Sequence, residues 1–282
     1  MSVEMEKSWS VTNGLSLEMT VKDIESLDQT SKSLQTGTVI TVPFLLNKND
    51  ETSLRMASFL RCHGFSPMPH IAARRIPSQA NLEKLLEGLV TTAQVDRVLV
   101  IAGDCATPDG PYKDSLAIIR SGLLQKYEIR IVGISGYPEG HPKIPFSFLQ
   151  QSMKDKLEYL NGHGIDVEIA TQFGFSAAPV LDWLERLRMD GITHPVRLGI
   201  PGPANVRTLL RYASMCGVSA SASVLTRYGL SITKLLSSAG PDYLVQDLTA
   251  GYDSIRHGKV IAHYYPFGGI KSLLNWLSKY SS

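Results

Sequence analysis

The chain has 282 residues, of which 28 are Lys or Arg and 26 are Asp or Glu, leaving a formal net charge of +2. A near-neutral balance with no block of like charge gives nucleic acid no electrostatic footprint, and no segment approaches the roughly 18 consecutive apolar residues of a membrane span. The length exceeds a common single domain but suits a one-domain α/β barrel.

Short apolar runs rich in β-branched residues alternate along the chain with longer amphipathic segments, the pattern of a parallel sheet with crossover helices. Strands are predicted at 15–19 (LSLEM), 38–44 (TVITVPF), 66–72 (SPMPHIA) and 97–103 (RVLVIAG). Four more are predicted at 129–135 (IRIVGIS), 166–172 (DVEIATQ), 195–201 (PVRLGIP) and 260–266 (VIAHYYP). Helices are predicted from Asp50 through DETSLRMASFLRCHG and from Ser176 to Gly191, the latter with Leu181, Leu184, Leu187 and Arg188 at helical spacing. Eight β-then-α units predict a (β/α)8 TIM barrel over residues 1–282 as a single domain, with a doubly wound open sheet as the rival. The interval 202–259 leaves room for two or three extra helical segments.

In such a barrel the loops after the strands converge on one mouth, where catalytic groups sit. Reading only strand ends gives Glu18, Thr41, His70, Gly103 and Asp104, then Tyr137, Glu139 and His141, then Gln172, the segment 201–205, and Tyr264 and Tyr265. A lone His at a strand end reads first as structural. Asp104 could cap the next helix, and Glu18 could be a solvent-facing edge residue. Their joint placement reads as a site. In GYPEGHP (136–142), Pro138 and Pro142 stiffen the loop so that Tyr137 and His141 have defined directions.

Familiar site motifs are missing: no GxGxxG follows a strand, and GxxxxGK[ST], HExxH and GxSxG do not occur. AGDCATPDG combines Gly with turn formers that could approach a phosphate. Cys62, Cys105 and Cys216 are too few and too scattered for a disulfide framework or a zinc site, so they read as reduced thiols, and no metal site is predicted.

The ordered set SLE (16–18), PHIAAR (69–74), IAGD (101–104), GYPEGHP (136–142), TQF (171–173) and GIPGPAN (199–205) resembles the successive motifs of the methylenetetrahydrofolate reductase family across nearly the whole chain. The resemblance implies a barrel carrying non-covalent FAD that reduces 5,10-methylenetetrahydrofolate to 5-methyltetrahydrofolate, or runs in reverse, within one-carbon metabolism and methionine biosynthesis. It implies Glu18 as the general acid that opens the methylene bridge, which calls for a raised pKa. Asp104 would be the acid beside flavin and pterin. Thr41, His70, Gly103, Asp104, Tyr137, His141 and Lys156 would bind the cofactor, and Gln172 and Tyr265 the substrate.

The chain departs from the family after Glu18, where MTVKD replaces an aromatic and a Pro pair, and at Asp155, where a base is expected. VLTRYGLSITK (224–234) lacks the aromatic-bearing stretch that stacks the nicotinamide, and Gly269 lies near a position often held by Arg. These leave NAD(P)H open as electron donor. A second reading is a non-catalytic folate- or flavin-binding subunit of a one-carbon enzyme complex.

The expected partner is a small-molecule folate, with no nucleic acid and no membrane; homo-oligomerisation is left open. MSVEMEKSWSVTNG has early acids and no apolar run, unlike a targeting signal, so a cytoplasmic protein is expected, with residues 1–13 flexible. A chain ending at Ser282 leaves no room for the regulatory domain that longer family members append.

Overall fold

The computed structural model describes residues 9–30, 33–44, 50–218 and 238–280. Eight parallel strands close a barrel: β1 (Ser16–Glu18), β2 (Val39–Val42), β3 (Ser66–Ala72), β4 (Arg97–Ile101), β5 (Ile131–Gly136), β6 (Asp166–Thr171), β7 (Val196–Pro201) and β10 (Val260–Tyr265). Around the barrel the order is β1, β10, β7, β6, β5, β4, β3, β2, with helices between successive strands. The fold is the (β/α)8 barrel expected from the alternation, and every predicted strand overlaps an observed one.

Two further strands, β8 (Ala204–Asn205) and β9 (Ser238–Ala239), pair antiparallel outside the barrel. The interval after β7 holds the helices Val206–Cys216, Asp242–Gly251 and Ser254–His257 among the described residues. No helix among the described residues is long and apolar enough to cross a membrane.

The chain packs as two compact units. The β2–β5 unit comprises Glu18–Gly136 and Ser147–Ala170. In it, β2, β3, β4 and β5 pair in sequence order with parallel register, for example His70 opposite Leu99 and Leu99 opposite Gly133. Val39, Met68, Leu99 and Ala170 pack as one buried cluster with Ile101 against it. Gly133 makes room for this layer, since a Cβ there would stand 2.5 Å from Met68 Cε and 2.8 Å from Leu99 Cδ1. The helix Gln79–Ala93 buries Leu82, Leu85, Leu86 and Leu89 at three-four spacing and is capped by Ser78, whose Oγ accepts the Asn81 N–H.

The β7–β10 unit comprises Met1–Leu17, Tyr137–Phe146 and Thr171–Ser282. Here β10 pairs with β1 and, over six residues, with β7. Residues 9–12, part of the stretch expected to be flexible, are instead anchored. Trp9 and Val11 are buried, and the Val11 carbonyl accepts the hydroxyl of fully buried Tyr264 at 2.8 Å. Residues 1–8 lie outside the described residues. The helix Ala177–Met189 starts and stops as predicted, but its buried stripe is Val180, Trp183, Leu184 and Leu187. Leu181 packs to the side, and a Cβ on Gly251 would stand 2.5 Å from its Cδ1.

Candidate functional site

In the β2–β5 unit, Glu18 is the last residue of β1, Thr41 lies in β2, His70 in β3, and Gly103 and Asp104 follow β4 after Ala102. The Met19 N–H donates to the Thr41 carbonyl at 2.9 Å, which fixes the exit of β1 beside β2. Glu18 Oε2 and His70 Nε2 stand 4.0 Å apart, with 21% and 10% of their side-chain surface exposed. Burial raises the Glu18 pKa to about 7, with the Asp23 carboxylate adding to the effect, and lowers that of His70 to about 4. Between about pH 4 and 7 the pair is therefore a protonated acid beside a neutral imidazole, not an ion pair. The solvent-facing alternative for Glu18 does not hold.

Among the described residues, Thr41 Oγ1 and His70 Nε2 are buried without a hydrogen-bond partner, and buried polar groups are seldom left so unless something else satisfies them. Lys156, on the helix Phe146–Gly162, is only 9% exposed. Burial lowers its pKa, and the fields of Asp114 and Asp155 partly offset that.

Asp104 does not cap the next helix; Asp114 does, accepting the Ala117 N–H at 2.9 Å. Asp104 is 68% exposed and accepts from Arg75 Nη2 at 3.1 Å. Gly103 turns the chain at φ +90°, where a Cβ would also touch Ala72.

In the β7–β10 unit, GYPEGHP leaves β5 and turns at Gly140 (φ +82°), whose N–H donates to the Tyr137 carbonyl at 3.0 Å. Tyr137 and His141 meet edge to face at 5.3 Å. His141 Nδ1 accepts the Lys143 N–H at 3.2 Å, leaving Nε2 as the proton-bearing nitrogen. Burial and Lys143 lower its pKa.

Glu139 supplies what the sequence could not reveal. Its carboxylate accepts the Phe175 N–H, while burial raises its pKa. Gly174 permits the approach, because a Cβ there would stand 2.7 Å from Glu139 Oε1. The acid in GYPEGHP therefore ties that loop to the one after β6. A pocket is lined by Tyr137, Glu139, His141, Gln172, Phe173 and Cys216, with neighbouring glycines and valines.

Gln172 follows β6 and folds Oε1 back onto the Phe173 N–H at 3.1 Å, which leaves its NH2 unengaged among the described residues. Tyr265, the last residue of β10, donates its hydroxyl to the Thr171 carbonyl at 3.1 Å. Its ring joins Phe173 and Phe267 at centroid distances of 5.5 and 5.7 Å. The segment 224–234 lies outside the described residues. None of the three cysteines forms a disulfide among the described residues; Cys62 is exposed and Cys105 and Cys216 are half-buried.

A sequence model of methylenetetrahydrofolate reductase matches residues 18–233. Among solved structures, the chain is similar to an uncharacterised protein from Clostridium thermocellum that binds two copies of 5-methyl-5,6,7,8-tetrahydrofolic acid. The TM-score is 0.58 at 11% identity, over 89% of this chain and 87% of that one. It is also similar to dihydropteroate synthase from Thermus thermophilus, with a TM-score of 0.50 at 10% identity, over 97% and 94%. At these identities the structural likeness speaks to the fold alone.

Proposed function

The chain belongs to the methylenetetrahydrofolate reductase family, and from that premise we propose that it is a flavoprotein oxidoreductase interconverting 5,10-methylenetetrahydrofolate and 5-methyltetrahydrofolate. The observation that carries the reading is the Glu18 carboxyl, kept protonated to about pH 7 beside a neutral His70. An acid poised at the working pH is what protonating a bridging amine nitrogen requires. The Clostridium thermocellum neighbour's binding of a methylfolate agrees with a folate ligand.

The residues present fit FAD. The partnerless Thr41 Oγ1 and His70 Nε2 offer a hydroxyl and an imidazole to a polar cofactor, and the buried Lys156 ammonium offers a cation to a diphosphate. Gly103 as a backbone contact to the cofactor is carried over from the resemblance. When bound, the flavin supplies hydride transfer through its N5.

The chain's own part is protonic and positional. Glu18 gives its proton to the bridge nitrogen as the C–N bond breaks, which leaves an electrophilic iminium carbon on the folate. Asp104 then serves as a hydrogen-bonding acid for the pterin. Tyr137 and His141 as further cofactor contacts, and Gln172 and Tyr265 as substrate contacts, are carried over from the resemblance.

The sign of the pH dependence follows. Reduction of the methylene folate needs protonated Glu18, so its rate falls about tenfold per pH unit above about 7. Oxidation of methyltetrahydrofolate needs the ionised form, so its rate rises about tenfold per pH unit below about 7 and reaches a plateau above it. Stopped-flow traces of the two half-reactions from pH 5.5 to 9 check this; profiles of equal sign would remove Glu18 from the proton step.

The reading as a whole is tested by one anaerobic spectrum. A yellow protein whose flavin band bleaches on adding 5-methyltetrahydrofolate is the expected result. A yellow protein that does not bleach would end the folate claim. A colourless protein that FAD cannot reconstitute would leave a non-catalytic folate-binding subunit.

A further inference from the structure

The segment that carries Gly103 and Asp104 has no regular element between the end of β4 and Ser115, yet one residue binds it along most of its length. The Arg74 N–H donates to the Ala102 carbonyl at 2.9 Å, and the Arg74 carbonyl accepts the Asp109 N–H at 2.8 Å. The Cys105 thiol faces the same carbonyl at 3.8 Å. The guanidinium closes the circuit: Nε donates to the Lys113 carbonyl at 2.8 Å and Nη1 to the Cys105 carbonyl at 3.0 Å. Gly110 seats against the same stretch, so closely that a Cβ would stand 2.3 Å from the Pro77 carbonyl oxygen. The neighbouring Arg75 reaches the Asp104 carboxylate itself.

Both acceptors of the Arg74 side chain are backbone carbonyls, so what the position requires is geometry more than charge. A guanidinium presents two N–H groups in a rigid plane and can hold two carbonyls eight residues apart in sequence; a Lys ammonium on a flexible stem cannot fix both at once. A loop without regular structure depends on such contacts to hold its place.

We infer that Arg74 is the positioning residue of the Gly103–Asp104 loop, setting where the Asp104 carboxylate stands and thereby the efficiency of the folate half-reaction. The inference rests on the reading of Asp104 as the acid beside flavin and pterin. Arg74 acts on catalysis only through that loop.

The test uses the flavin-loaded protein and four variants: Arg74→Ala, Arg74→Lys, Asp104→Asn and the double variant Arg74→Ala/Asp104→Asn. Amide hydrogen exchange at residues 103–110 is expected to speed up at least tenfold in both Arg74 variants, with exchange in β3 unchanged. Rates are compared on protein loaded with FAD to equal flavin content, so that weaker cofactor binding by any variant does not enter them. Flavin reduction by 5-methyltetrahydrofolate is expected to slow tenfold or more in Arg74→Ala and Arg74→Lys alike. The double variant is expected to be no slower than Asp104→Asn within about a factor of two, the non-additivity of residues acting as one unit.

Rescue by Arg74→Lys would overturn the geometric argument, and so would a double variant slowed by the full product of the single effects. Wild-type turnover by Asp104→Asn would instead remove the proposed role of Asp104. The exchange measurement, made with or without flavin, would then still decide whether Arg74 holds the loop.

Discussion

Replacing Glu18 by Gln is expected to lower the rate of 5,10-methylenetetrahydrofolate reduction by about 10²- to 10⁴-fold, the usual contribution of a positioned general acid. Gln keeps the shape and a hydrogen-bonding group but has no proton to give at neutral pH. Flavin content should survive, because the partnerless atoms assigned to the cofactor are on Thr41 and His70. The same variant carries an opposite signature in stability. The folded-state pKa of Glu18 is raised from 4.5 to about 7. Its contribution to stability is therefore fully present below about pH 4.5 and is lost as pH rises through about 7. Above that pH the wild type holds a buried carboxylate that Gln does not, so Glu18→Gln should be more stable at pH 8 by on the order of 3 kcal/mol, and equal at pH 4. Chemical denaturation at the two pH values, beside single-turnover rates, measures both effects. A variant that keeps its rate would show that the Glu18 carboxyl is not the acid, and one that gains no stability at pH 8 would show that burial does not strain its carboxylate.

The barrel was legible because its signal is periodic. Apolar β-branched runs at strand spacing locate all eight barrel strands to within two residues at each end, and a strand end is a position that sequence alone can name. Glu18 and Tyr265, as last residues of β1 and β10, were accordingly placed correctly. What sequence could not show is where a polar side chain sends its hydrogen bonds, since that depends on residues distant along the chain. Glu139 finds the Phe175 N–H, 36 residues on, through the gap at Gly174. Arg74 finds carbonyls at Cys105 and Lys113. Trp276 Nε1 donates to Asp242 at 3.0 Å. The pairing of Ala204–Asn205 with Ser238–Ala239 escaped for the complementary reason, because a two-residue strand has no period to detect.

The glycine of GIPGPAN supplies the second large effect. Gly199 lies in β7 with its N–H donating to Thr171 Oγ1 at 2.8 Å. A Cβ at this position would stand 2.7 Å from the Phe173 nitrogen and 2.8 Å from the Gln172 carbonyl carbon and oxygen. These are backbone atoms, so no side chain can swing aside to relieve the contact, and the chain after β6 must move. Gly199→Ala is therefore expected to cost about 3 kcal/mol, the upper part of the range for overpacking. It should also shift Gln172 and Phe173, which line the pocket with Tyr137 and His141. If Gln172 contacts folate as proposed, the affinity for 5-methyltetrahydrofolate falls at least tenfold while flavin content holds. Gly162 offers the control, since a Cβ there meets nothing within 4 Å and its φ is ordinary. Gly162→Ala should instead gain about 0.4–1 kcal/mol by restricting the unfolded chain. Thermal unfolding of the two variants, with a folate titration of each, sets a substitution that differs only in its surroundings against itself. Equal stability of the two would mean that the close approach at Gly199 relaxes without cost, and that this glycine does not hold the β6 loop in place.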